Sequence, residues 1–301
     1  MKLLTFQDPR GNLRAGFLKE ESIYDLQTIS NNKLPNTILE LIQSYPKYQD
    51  TLPTYFANAK PSYHLDQVKV KAPIPNPPSI RDFMAFEEHI VNATKKSGLT
   101  LAKEWYEIPA FYFTNHLALV GNEEIVERPP NCKALDFELE IACIIGKRGK
   151  NIKAENAEQH IFGYTIFNDW SARDLQMKEM KVGLGPAKGK DFATSIGPVI
   201  VTKDELELYK TEKGHNLAMT AKVNGVELSR GNFKDIHYSF EQMIERASDG
   251  VELHPGEIIG SGTVGTGCIL ELGTDVQPWL EPGDIVELHI EGIGTLKNQI
   301  K

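Results

Sequence analysis

Short apolar runs separated by glycine and proline turns recur along this chain, and their period is more often that of strands than of helices. Residues 1–6 and 15–18 predict two strands joined across Pro9-Arg-Gly-Asn12, and Ile38, Leu39, Leu41 and Ile42 predict a short helix. Lys71-Ala-Pro-Ile-Pro-Asn-Pro-Pro78 follows, and its four prolines predict an extended connector, because each also bars its predecessor from the helical region. A domain boundary is drawn there, with a small amino-terminal α+β domain over 1–72 and a larger domain over 73–301. From Ser79 the period turns helical, with Phe83, Phe86 and Ile90 on one stripe. A continuous helix would place Asp82 and His89 on one face, two turns and about 10 Å apart. Glu87 and Glu88 read as solvated charges. Further strands are predicted at 111–113, 141–145, 164–167, 198–201, 218–223, 268–272 and 285–290, so the chain is expected to be a β-rich α+β protein.

Two stretches carry candidate chemistry. In Leu135-Asp-Phe-Glu-Leu-Glu-Ile141, Phe137, Leu139 and Ile141 alternate with Asp136, Glu138 and Glu140, which predicts a strand with one apolar and one acidic face. Charges two residues apart on a strand, roughly 6.5 Å, repel by about 2.5 kcal/mol at an effective dielectric of about 20. A sheet with one wet face is the plain alternative. Against it, the strand runs on into an apolar segment that reads as buried on both sides, and Asp82 and Asp169 supply further carboxylates. Three or four convergent oxygens suit a hard cation, Mg²⁺, Mn²⁺ or Ca²⁺, and no Cys/His cluster points to zinc. The second stretch is the buried run 161–167, which ends in Asn168-Asp169 and turns into a helix-like segment with Ser171 and Asp174 spaced as a capping box.

Gly260-Ser-Gly-Thr-Val-Gly265 matches the dinucleotide fingerprint, but a strand pattern rather than a helix follows it, so no nucleotide cofactor is expected. Its glycines suggest a backbone-donor loop around a small anion. Glu271, in an apolar strand, needs a partner such as a histidine. By spacing alone, Lys188-Gly-Lys-Asp-Phe192 reads as a surface loop, and Arg173, Asp174 and Gln176 as helix surface.

Composition narrows the partners. The chain has 301 residues, 41% of them hydrophobic and 25% charged, which is ordinary for a soluble globular protein with a substantial core. A formal charge of −8 with scattered lysines argues against nucleic acid and for small molecules. Cys132, Cys143 and Cys268 are odd in number and widely spaced, which suggests free thiols in the cytoplasm. No apolar run reaches the ~18 residues of a spanning helix, and the first residues fall short of a signal-peptide core, so no membrane association or export is expected.

Taken together and in order, several blocks resemble the fumarylacetoacetate hydrolase (fumarylacetoacetase) family from Arg81 to the carboxyl terminus. They are Arg81-Asp-Phe with a histidine seven residues after the aspartate, Leu135-Asp-Phe-Glu-Leu-Glu140, Asn168-Asp-Trp-Ser-Ala-Arg-Asp-Leu-Gln176, Gly189-Lys-Asp-Phe192, Gly260-Ser-Gly-Thr263 and Leu280-Glu-Pro-Gly-Asp-Ile-Val-Glu287. The resemblance implies a β-rich, mixed β-sandwich roll beside a smaller amino-terminal domain, and a homodimer. It implies Asp82, Glu138, Glu140 and Asp169 as ligands of a divalent cation, foremost Mg²⁺. His89 is implied as general base, with Glu271 orienting it, and Lys190 and Arg173 as cations at the reacting oxygens. Gln176, Thr263 and Tyr112 are implied as substrate contacts. The chain departs from the family where a tyrosine is replaced around Met180, and where shorter members carry a glutamate three residues after the histidine; here that residue is Asn92. The activity implied is hydrolysis of a carbon–carbon bond in a 1,3-diketone or acylpyruvate-type keto acid. Decarboxylation, tautomerisation and dehydration of a keto acid are alternatives on the same chemistry, and a non-catalytic, cation-stabilised binding protein is a further one.

Overall fold

Strands with two apolar faces set the architecture. In the strand Glu140–Ile145, Ile141, Cys143 and Ile145 pack into one core while Ala142 and Ile144 pack into another. The same division occurs in Lys2–Gln7, where Leu4 and Phe6 enter the first core and Leu3 the second. A sheet covered on both sides reads in sequence as continuous apolar runs, because neither face is left for water. The computed structural model describes residues 1–57, 59–96, 98 and 100–301.

Among the described residues the main sheet has twelve strands. Its path runs from Tyr63–His64 through Ser22–Asp25, Leu13–Lys19, Lys2–Gln7, Thr194–Thr202, Ile161–Asn168, Glu140–Ile145, Ile258–Gly260 and Ile80–Phe83 to Phe111–Phe113. Lys69–Lys71 and Leu119–Val120 pair alongside this path. The amino-terminal strands thus extend the sheet that the later strands build, and the second core draws Leu26, Leu41 and Ile42 together with Ile80, Ile144 and Ile258. A separate five-stranded sheet runs Val226–Asn232, Ala218–Val223, Ile285–Ile290, Gly294–Ile300 and Ile125–Val126. The protein is a strand-rich α+β fold of mixed sheets.

Register in the middle of the main sheet brings two acidic side chains together. Gly260 pairs in parallel with Asp82 and antiparallel with Ala142, while Glu140 pairs with Phe167. Side chains alternate along a strand, so Asp82 continues the face of Ile80, and Glu140 that of Ala142 and Ile144. The two carboxylates therefore come to the same end of the two strands that flank Ile258–Gly260. Gly260 lies between them because nothing larger fits: a Cβ there would stand 2.4 Å from Asp82 Oδ1.

Three local expectations change. The stretch from Ser79 is not one helix but the strand Ile80–Phe83 followed by the helix Glu87–Lys96. The spacing of Phe83, Phe86 and Ile90 fits a helix, but pairing with Gly260 on one side and Tyr112 on the other decides the conformation of Asp82. The acidic stretch is likewise split into Leu135–Asp136 and Glu140–Ile145, and its carboxylates are buried rather than wet. Residues 269–272 form a helical turn, not a strand, since the Asp136 carboxylate accepts from the N–H groups of Ile269 (2.7 Å) and Leu270 (3.1 Å). An anion supplied from 133 residues away caps that turn, and so short an apolar run contains no trace of it.

Candidate active site

Four carboxylates expected at scattered positions meet in one buried place. An oxygen from each of Asp82, Glu138 and Glu140 lies within 4.8 Å of the others. Asp169, at the end of the strand Ile161–Asn168, joins them through Lys190, whose Nζ donates to Asp169 Oδ2 at 2.7 Å and to Glu138 Oε2 at 2.5 Å. Glu138 is held from behind by Arg173, which donates from Nη2 to Glu138 Oε1 at 2.8 Å and from Nε to Asp136 Oδ2 at 2.9 Å. Arg173 Nη1 also donates to Gln176 Oε1 at 3.1 Å, which brings the Gln176 amide to this cluster. Tyr112 donates its hydroxyl to Asp169 Oδ2 at 2.5 Å.

The loop after Gly260 completes the wall, and its role differs from the expected anion loop. The N–H of Gly262 donates to Glu140 Oε2 at 3.0 Å and to Asp82 Oδ1 at 3.3 Å, so its donor is aimed at the chain's own carboxylates. Gly262 has φ +77°, and a Cβ there would meet the Phe83 carbonyl oxygen at 2.4 Å, so close approach and left-handed backbone both require glycine. Thr263 donates weakly to Glu140 Oε1, at 3.5 Å.

Two further expectations are corrected here. Ser171 and Asp174 form no capping box: the helix Arg173–Met180 has no side-chain cap, Ser171 donates to the Asp169 carbonyl, and Asp174 accepts from the Lys133 N–H. Lys190 and Arg173 are not surface residues; both are 4% exposed, whereas Lys188 pairs with Asp191 in solvent. Local spacing suggested exposure because the partners of both cations are 21 to 52 residues away.

The electrostatics ask for a cation. Five buried carboxylates (Asp82, Asp136, Glu138, Glu140 and Asp169) face two buried cations, Lys190 and Arg173, an excess of three negative charges if all ionise. Burial, reinforced by Asp169, pushes the Asp82 carboxyl well above its usual range, and burial with Asp82 beside it does the same to Glu140. Burial also raises Asp169, against the pull of Lys190. Glu138 goes the other way: burial opposes its ionisation, but Lys190 and Arg173 outweigh that and hold it well below the ordinary carboxylate range. Asp169 Oδ1 is buried without a hydrogen-bond partner, an expensive state for a carboxylate oxygen. An all-oxygen set with an orphaned ligand atom and surplus negative charge fits a hard divalent ion. Asp82, Glu138, Glu140 and Asp169 would hold it.

Beside this cluster stands a buried pair. His89, on the helix Glu87–Lys96, has Nδ1 2.6 Å from Glu271 Oε1. Glu271 Oε2 accepts from Asn92 Nδ2 at 3.1 Å and from the Thr266 N–H at 2.9 Å. The donors on Oε2 leave Oε1 to accept, which assigns a proton to His89 Nδ1 and leaves Nε2 unengaged by Glu271.

Sequence reasoning gave no role to Asp136, Asn92 or Thr266. Asp136 carried a signal, since a third acidic residue in the alternating stretch needed an explanation of its own. Asn92 lies one turn after His89 on the same helix. Thr266 acts through its backbone and has no sequence signature.

Comparison with known proteins identifies the family. Residues 79–301 match the family profile described as fumarylacetoacetate (FAA) hydrolase C-terminal. Oxaloacetate tautomerase YisK of Bacillus subtilis (strain 168) is 31% identical over 299 residues, which cover 93% of this chain and 90% of that protein. The structure of a fumarylacetoacetate hydrolase from psychrophilic Exiguobacterium antarcticum is 27% identical with a TM-score of 0.75, over 100% of this chain and 99% of that one. The crystal structure of maleylpyruvate hydrolase from Sphingobium sp. SYK-6, in complex with manganese(II) ion and pyruvate, shares the fold at a TM-score of 0.74 and 21% identity, over 100% of this chain and 98% of that one. With most of its length matched to the profile and nearly all of it aligned to a curated relative, this chain belongs to the fumarylacetoacetate hydrolase family.

Proposed function

We propose that this protein is a metal-assisted keto–enol tautomerase of a 2-oxo dicarboxylic acid of the oxaloacetate type. The observation that carries the reading is the buried His89–Glu271 pair set beside convergent carboxylates, a base with a fixed tautomer next to a site for a hard cation. The similarity to oxaloacetate tautomerases over nearly the whole chain supports this choice of reaction within the family. A divalent cation, when bound, supplies Lewis-acid polarisation of the 2-oxo group and so acidifies the neighbouring C–H.

The chain's own residues do the rest. His89 Nε2 takes a proton from the substrate carbon, and the imidazolium that results is balanced by Glu271 through Nδ1. The ring then returns that proton to oxygen to complete the enol, or to carbon in the reverse direction. Lys190 and Arg173 stand as fixed positive groups near the oxygen that gains charge. Gln176, Thr263 and Tyr112 offer an amide and two hydroxyls to orient the carboxylates. No water enters the reaction and no carbon–carbon bond breaks, so the only general-base step is the proton transfer at His89.

Hydrolytic cleavage of a 1,3-diketone or acylpyruvate is the second reading. The same pair favours it, since a bare Nε2 held by a carboxylate also activates water, and the neighbour of 27% identity is a fumarylacetoacetate hydrolase. One experiment separates the two. The enol absorbance of oxaloacetate, and the products formed from an acylpyruvate, are followed with Mg²⁺ or Mn²⁺ and again after chelation. Cation-dependent loss of the enol signal with an unchanged carbon skeleton is the expected result. Release of pyruvate and a carboxylic acid as the faster reaction would favour hydrolysis. Full activity after chelation would reject both. The chain is also proposed to act in the cytoplasm and as a homodimer; none of its helices is long and apolar enough to cross a membrane among the described residues.

A further inference from the structure

We infer that Asn92 is a positioning residue that fixes the proton of His89 through Glu271, an inference that rests on reading His89 as the base. Asn92 lies three residues after His89 on the helix Glu87–Lys96, so the two side chains share a face one turn apart. Both address the same carboxylate. His89 Nδ1 meets Glu271 Oε1 at 2.6 Å, and Asn92 Nδ2 donates to Oε2 at 3.1 Å. The Thr266 N–H, at 2.9 Å from Oε2, is the other donor on that oxygen.

A carboxylate held at one oxygen by a single N–H can still turn about its Cγ–Cδ bond. Two donors converging on Oε2 from different elements, the helix Glu87–Lys96 and the loop before Ile269–Leu272, define the plane of the group. Oε1 is thereby aimed at Nδ1. Asn92 is suited to this because it is neutral. A second carboxylate at the same position would have to share a proton with Glu271 or repel it, and the imidazole would then face a partner of changed charge and direction. Cys268 Sγ, 3.6 Å from Oε1, is too weak a donor to replace the amide.

The test combines a spectroscopic readout with kinetics on the full chain. In protein labelled with ¹⁵N-histidine, the ring nitrogens of His89 report which one carries the proton. The parent is expected to show Nδ1 protonated and Nε2 bare. Asn92→Ala is expected to give a mixed tautomer with faster exchange of the Nδ1 proton. Its kcat on oxaloacetate should fall about tenfold, a part of the roughly 10²–10⁴ that a general base supplies, with KM nearly unchanged. Asn92→Asp, of the same shape, should lose more than Asn92→Ala. A parent that turns over no 2-oxo acid, while its His89 signals still respond to Asn92→Ala, would sink the proposed reaction and support the positioning role. Parent-like His89 signals and kcat in both variants would overturn the inference, even if the thermal midpoint fell.

Discussion

His89→Ala is expected to fold, to bind a divalent cation as the parent does, and to lose turnover by about 10²–10⁴. Among the described residues His89 makes no side-chain hydrogen bond to Asp82, Glu138, Glu140 or Asp169, so its removal leaves the carboxylate cluster in place, while the ring nitrogen proposed as the base goes. Glu271 Oε2 keeps Asn92 and the Thr266 N–H as donors while Oε1 is left with only the weak Cys268 thiol, so the fold should lose about 1–3 kcal/mol. Cation titration by calorimetry and steady-state kinetics on one preparation check both halves. Retained turnover would remove His89 from the mechanism. Lost cation binding would mean that the base and the carboxylate cluster are not separable parts of the site.

The second large effect is on stability. Arg173→Met should lower the free energy of unfolding of the cation-free protein by about 3–5 kcal/mol, because removing one member of a buried ion pair strands the other. Arg173 is 4% exposed and binds Asp136 and Glu138 at once, and Asp136 in turn caps the turn that carries Glu271. The damage should therefore reach the base as well as the cluster. Saturating Mn²⁺ should recover part of the loss, since a ligand that binds only the folded state stabilises it by mass action. Urea unfolding with and without the ion measures this. A loss below about 1 kcal/mol would mean that Arg173 is a solvated surface pair in effect.

How much of the fold and the site was legible in the sequence depends on which elements acted locally. The strands at 141–145 and 218–223 could be read because their apolar character matches what a sheet buries. Asp82 was named as a candidate ligand but put on the wrong element, since helical spacing of Phe83, Phe86 and Ile90 said nothing about pairing with Gly260 and Tyr112. The turn at 269–272 was misread for the same reason: its cap, Asp136, comes from far along the chain. Lys190 shows the limit most plainly. Its neighbours Lys188 and Asp191 are those of a surface loop, and only the resemblance to a family suggested otherwise. Side chains whose partners lie 20 or more residues away cannot be located by period or by turn chemistry. Four carboxylates could be named because each sat in a recognisable block. Asn92 was noted only as a departure from part of the family, with no role, for its importance lies in one hydrogen bond to Glu271.

Beneath these expectations lies one claim, that Asp82, Glu138, Glu140 and Asp169 hold one divalent ion next to His89. Anomalous scattering from crystals grown with Mn²⁺ locates that ion directly. A single strong peak per chain is expected, enclosed by those four carboxylates, with Asp169 Oδ1, now without a partner, among the atoms facing it. A peak elsewhere, or no peak at a concentration that supports full activity, would contradict the claim.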